Sequence, residues 1–213
     1  MSRAERHRLH VRTNLVVAAR AALAATGEVT ASVVNDICEQ CGIHPFAFRI
    51  MFPLDEDLLD AVNVLLVDEC ADRLRAGVAA YRAPADQGAA IDAAAAALAS
   101  AWPLDRGGLV IRARWRLNAL AENRGGEPVV AAERRFVRAL TSILADLLAK
   151  MGRRFVWPPT LAVRVILDTY ERSFEAWVLS GGNEVTFPES PYVRRTLPAV
   201  LLHTSEPVPE ETT

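Results

Sequence analysis

Apolar residues in this chain recur mainly at spacings of three and four, the mark of helices with one buried face. From 15 to 25 they run almost unbroken, and Gly27 stands where a helix end needs a residue that tolerates positive φ. The pattern predicts a short, well-buried first helix with Thr13 or Asn14 as its cap. A second stretch over 33–41 sets Val33, Val34, Ile37, Cys38 and Cys41 on one side, with Ser32 as candidate N-cap and Gly42 as its stop. Pro45 follows closely and suits the first turn of a third helix reaching Phe52, because its missing N–H would be unpaired there anyway. Pro53 breaks that helix. Asp55, Glu56 and Asp57 then suit the positive end of a fourth helix's dipole, which Leu58, Leu59, Val62, Leu66, Cys70, Leu74 and Val78 carry for many turns.

After Tyr81, breaks rich in proline and glycine separate five further helical stretches, over 89–102, 109–123, 129–151, 160–179 and 192–203. Residues 204–213 hold two prolines and three glutamates and read as a disordered acidic tail. The expected fold is all-α with about nine helices. A three-helix unit with a helix-turn-helix occupies 1–54, and a helical bundle occupies 55–203.

With 51% hydrophobic residues among 213, the chain can bury a sizeable core. Every long apolar run carries charges within a bilayer's length, so no membrane partner is expected. The arginine-rich start lacks the apolar stretch and cleavage site of a signal peptide, and three cysteines do not make a disulfide framework. Cytoplasmic residence is the expectation. The net charge of −2 gives no electrostatic case for nucleic acid, but its distribution does: up to Arg20 there are five arginines (Arg3, Arg6, Arg8, Arg12 and Arg20) against Glu5 alone.

Enzyme chemistry finds little support. Histidine occurs only at 7, 10, 44 and 203, which leaves 55–191 without a histidine base. No phosphate-cradling glycine loop, nucleophile elbow or H-E-x-x-H helix is present, and no cofactor is implied. Cys38 and Cys41 form a C-x-x-C that His44 extends, open to two readings: a metal or redox sensor, or small residues packing the second helix.

Two short helices joined at Gly42, the second opened by a proline, have the geometry that lays a helix into the DNA major groove. The run Asp36-Ile37-Cys38-Glu39-Gln40-Cys41-Gly42-Ile43, followed by Phe48, Phe52-Pro53, Glu56 and Leu58-Leu59, resembles the DNA-binding domain of the TetR (tetracycline-repressor) family of transcriptional regulators. Leu15, Val16, Ala18, Ala19 and Gly27 extend the likeness, which spans about 12–62. The resemblance implies a homodimer reading a palindromic double-stranded DNA operator, with a small-molecule pocket in each C-terminal bundle. It assigns DNA contact to Arg3, Arg6, Arg8, Arg12, Ser32, His44, Phe46, Ala47 and Arg49. Arg49 stands where the family usually has a phosphate-contacting tyrosine, and Phe46 and Ala47 where it has glycine and threonine, offering apolar contact to thymine methyls. Pro45, Met51 and Asp55 replace a common lysine, histidine and lysine. From Glu28 to Asp60, Arg49 is the one Lys or Arg against seven acids, a poor footprint for a polyanion.

In the bundle, Trp102, Trp115, Phe136, Tyr170 and Phe174 are candidates to line a site for an apolar or aromatic effector, with ordinary core packing as the alternative. Val163, Ile166, Leu167 and Trp177 on the eighth helix, with Val193, Leu197, Val200 and Leu201 on the ninth, make stripes suited to a four-helix dimer interface or to an intramolecular core. Two functions emerge. One is a ligand-responsive regulator, a repressor in the family's usual mode. The other is a dimeric small-molecule-binding or interaction protein whose helix-turn-helix no longer reads DNA.

Overall fold

The computed structural model describes residues 2–25, 27–102, 104–121 and 127–209, the side chains of 127–130 excepted. Its α-helices are α1 (Arg3–Leu23), α2 (Ala31–Cys41), α3 (Pro45–Met51), α4 (Asp55–Ala80), α5 (Gln87–Ala101), α6 (Arg106–Ala121), α7 (Glu127–Lys150), α8 (Pro159–Leu179) and α9 (Pro191–Thr204). A 3-10 helix covers Glu184–Glu189, and the strands β1 (Arg153–Phe155) and β2 (Ser205–Pro207) pair antiparallel. Among the described residues the protein is all-α apart from that two-stranded ladder.

The chain divides into two compact units: Met1–Val67 with Asp105–Ala132, and Asp68–Leu104 with Glu133–Thr213. This division departs from a boundary at 54/55. The first part of α4 belongs with the helix-turn-helix, and α6 returns to it from later in the chain.

In the first unit, Leu15, Val16, Ala19 and Leu23 of α1 meet Val34, Ile37 and Cys38 of α2, Phe48 of α3, Leu58, Leu59 and Val62 of α4, and Ile111 and Trp115 of α6 in one buried cluster. The Trp115 indole N–H donates to Asp60 Oδ1 at 2.6 Å, which gives this large ring a polar anchor. Arg20 pairs with Asp105 at 3.6 Å and Arg114 with Glu28 at 3.1 Å. Two expectations need correcting here. The first helix does not start at 15: it begins at Arg3, under a capping box in which Ser2 Oγ accepts from the Glu5 N–H and Glu5 accepts from the Ser2 N–H. The signal was hidden because 3–10 are all exposed and, Ala4 and Leu9 apart, charged or polar. The second helix begins at Ala31, and its cap is Thr30, whose Oγ1 accepts from the Val33 N–H, rather than Ser32.

In the second unit α9 packs against α5 and α8, and the 3-10 helix packs beside all three. A methyl placed on Gly77 of α4 would stand 2.5 Å from the Ala101 Cβ of α5, so a side chain there would force these helices apart. The end of α4 carries no glycine cap. Instead Lys150 of α7 donates from Nζ to the carbonyls of Val78 (2.6 Å), Ala79 (3.2 Å) and Tyr81 (3.4 Å). A third correction concerns the tail. Residues 205–207 are ordered as β2, and buried Arg153 of β1 donates to Ser205 Oγ at 2.9 Å and to the Ser205 carbonyl at 2.7 Å. Residues 210–213 lie outside the described residues.

Candidate nucleic-acid interface and effector region

The helix-turn-helix is built from α2, a left-handed residue and α3. Gly42 adopts φ +65° and ψ +34°, and its N–H reaches back to the carbonyls of Cys38 and Glu39, closing α2. His44 then caps α3: its Nδ1 accepts from the Phe46 N–H at 3.2 Å, and Pro45 opens the first turn. Phe48 is fully buried, with its ring 5.3 Å from that of Phe52, which fixes the inner face of α3 to the core. The outer face follows from this anchoring. Phe46 is 72% exposed and Ile50, one turn on, 63% exposed, while Ala47 is half-buried.

Arg49 is exposed and lies on α3, but its Nη1 donates to Asp55 Oδ1 at 2.7 Å and its guanidinium carbon sits 5.7 Å from the Phe48 ring centroid. The residue that replaces the family's usual lysine therefore draws in the helix-turn-helix's one Lys or Arg side chain. Both partners are well exposed, so the pair contributes at most about 1 kcal/mol and can open.

The expected arginine arm is a helix, and this changes where its charges fall. Arg8 and Arg12 continue the α1 stripe that includes Leu15 and Ala19, and Arg12 lies over the Phe52 ring at 4.8 Å. Arg3 and Arg6, three residues apart, occupy the opposite side. All four are exposed, as is Ser32 in the first turn of α2. The predicted contact residues thus separate into α3 with Arg8 and Arg12, and a second basic face at Arg3 and Arg6.

Cys38 is buried and Cys41 half-buried. Burial pushes the Cys38 thiol up, with the neighbouring Cys41 adding to the effect and Arg49 opposing it, so the reactive thiolate is disfavoured. Cys41 Sγ faces the Asn14 carbonyl at 3.8 Å, and His44 is engaged at Nδ1 as the α3 cap. Among the described residues no group of three or more His, Cys, Asp or Glu is placed to hold a metal ion.

The predicted effector residues do not form one set. Trp115 belongs to the core of the first unit. In the second, Trp102 meets Tyr170 at a tilt with centroids 4.7 Å apart, Tyr170 meets Phe187 at a tilt at 5.3 Å, and Phe174 meets Phe187 edge-on at 5.0 Å. Phe187 sits in the 3-10 helix, where a segment closed by Pro188 gave no helical periodicity, and so it escaped the sequence analysis. All four rings are buried. Phe136 is buried as well. Concave space lies elsewhere in this unit. A groove of about 570 Å³ between α4 and α5 is lined by Ala76, Gly77, Tyr81, Ala97, Ser100 and Ala101, and one of about 400 Å³ beside α9 by Asp92, Ser100, Pro188, Glu189, Arg194 and Pro198 among others.

Of the eight residues assigned to a dimer seam, Val163, Ile166, Leu167, Val193, Leu197, Val200 and Leu201 are buried within this one chain. Trp177 is half-buried, donating from Nε1 to the Asn183 carbonyl at 2.8 Å and meeting Tyr192 edge-on. The apolar side chains still exposed on α8 and α9 are Leu161, Leu179, Tyr192 and Leu202.

Three helices carrying a helix-turn-helix, followed by a helical bundle, define the fold of the TetR-type transcriptional regulators. A solved structure from Mesorhizobium loti MAFF303099, of a protein assigned to the TetR family of transcriptional regulators, shares that fold with a TM-score of 0.64. The match covers 95% of this chain and 96% of that one at 16% sequence identity, so the likeness is one of fold. No family model matches the sequence, and no curated protein matches it. Among the described residues no helix is long and apolar enough to cross a membrane.

Proposed function

We propose that this chain is a TetR-like transcriptional regulator, acting as a repressor that binds a palindromic operator as a homodimer in the cytoplasm and releases it when a small apolar or aromatic effector binds. The observation that carries this reading is the α2–Gly42–α3 unit, in which a buried Phe48 and a capped start hold a solvent-facing helix beside exposed arginines of α1. That is the arrangement needed to place a helix in the major groove while cations meet phosphate. The two copies would join α8 and α9 through Trp177, Leu161, Leu179, Tyr192 and Leu202, since the other predicted residues are occupied in the chain's own core. The α4–α5 groove, lined mostly by small residues with Arg73 and Tyr81 among them, offers room for the effector. An effector acts as a switch only if it binds the released conformation more tightly than the operator-bound one.

Footprinting on DNA that flanks the protein's own gene tests the reading. Two protected half-sites about one helical turn apart are expected, lost on adding an effector found by thermal-shift screening. A second reading is favoured by one observation: Arg49 is held by Asp55 among seven acids, while Phe46 and Ile50 stand exposed. On that reading the helix-turn-helix is a protein-docking face. Protection spread evenly along the DNA, with no preferred site, favours it.

A further inference from the structure

The chemistry available on the outer face of α3 is unusually narrow. Residues Pro45–Met51 include no Asn, Gln, Ser, Thr or Lys, the side chains that together with arginine supply most hydrogen bonds to base edges. Arg49 is engaged with Asp55, and His44 Nδ1 with the Phe46 N–H. Besides Pro45 and the paired Arg49, the helix presents outward Phe46 and Ile50, one turn apart on a single face, with half-buried Ala47 beside them. The buried Phe48 prevents α3 from rolling to hide them. Large apolar side chains held out in water leave area that a partner can cover favourably.

The flanking charge points to the partner. Arg8 and Arg12 lie on the α1 stripe adjoining this region, and Arg12 is already seated on Phe52. A basic flank beside an apolar helix face fits a polyanion whose recognised surface is itself apolar. In the major groove only thymine offers such a group, its C5 methyl, which cytosine acquires when methylated at C5. We propose that α3 selects its site by packing Phe46 and Ile50 against thymine C5 methyl groups, so that the methyl itself is the recognised feature. The proposal rests on operator binding by this helix-turn-helix and names the base chemistry that such binding uses.

Selection of duplexes from a random pool by the full-length protein supplies the probe, which is then resynthesised with uracil in place of thymine in the half-site core. Uracil keeps the pairing edge and loses only the methyl. Removing each contacted methyl weakens binding about fourfold. Replacing the thymine by cytosine weakens it further, and 5-methylcytosine recovers part of that loss. Phe46→Ala combined with Ile50→Ala, both at exposed positions that leave the thermal transition unchanged, removes the thymine–uracil difference but keeps the salt dependence. Equal affinity for the thymine and uracil duplexes, or a difference that persists undiminished in the double variant, overturns the proposal while operator binding stands. A pool that yields no preferred sequence overturns the proposal together with the reading beneath it.

Discussion

Arg49 and Tyr170 show how differently a single side chain behaves at the surface and in the core. Arg49 is held at 2.7 Å by Asp55, and breaking this exposed pair costs little stability. Asp55→Asn should therefore leave the melting temperature within a few degrees while freeing a cation and removing an acid. We expect non-specific duplex binding at low salt to tighten about threefold to tenfold, read by fluorescence anisotropy, in line with one added phosphate contact. Unchanged affinity would mean that Arg49 does not face the duplex. Tyr170 is buried with its hydroxyl toward the Ala99 carbonyl, and burial pushes its phenol well above the ordinary value of 10.0. Tyr81, whose hydroxyl donates to the Ala90 carbonyl at 2.8 Å, and the Cys38 thiol are also shifted upward by burial. The unfolded chain releases these protons first, so the folded state binds more protons at alkaline pH and stability falls as pH rises. The contribution is intact below about pH 9 and declines from there through pH 10 and above. Thermal melts between pH 8 and 11 should show this decline, and Tyr170→Phe should flatten its upper part. An identical slope in the variant would show that Tyr170 ionises equally in both states.

At the scale of elements, the helix-turn-helix was legible because its determinants are local. Gly42 provides the left-handed turn, Pro45 the start of α3, and the spacing of Val34, Ile37 and Cys38 the buried face of α2. Gly42→Ala tests this directly. Nothing lies within 4 Å of a Cβ built there, so the cost is that of forcing an L-residue to φ +65°. About 1 kcal/mol of stability should be lost by urea unfolding, with Gly42→Asn losing less. Equal losses for both would point to packing rather than backbone strain. The first turns of α1 were hidden because Arg3 to His10 make no core contact and carry no periodic signal. The 3-10 helix and β1–β2 were missed because three-residue strands 52 positions apart in sequence leave no local pattern. The candidate DNA residues of α2 and α3 lie around the turn, whereas the effector candidates are divided between the two units. Aromatic identity marks burial, but it does not say which core each ring joins, as Trp115 shows.

At the scale of the whole molecule, residues that read as a disordered tail supply partners to a buried arginine. Buried Arg153 depends on Ser205 for two hydrogen bonds, so ending the chain at Thr204 leaves a buried guanidinium without them. We expect such a truncation to cost about 3 kcal/mol, measured by chemical denaturation. Adding Arg153→Met to the truncation should restore part of it, because an apolar isostere needs no partner. No recovery would show that β2 acts through its backbone pairing alone. Whether the helix-turn-helix reads DNA is decided by one ratio. The full-length protein's affinity for its best selected duplex is compared with that for a scrambled duplex of the same composition at about 150 mM salt. A regulator that recognises an operator should show a preference of about a thousandfold or more, with both affinities falling steeply as salt rises. A ratio near one, at any salt, would contradict that reading.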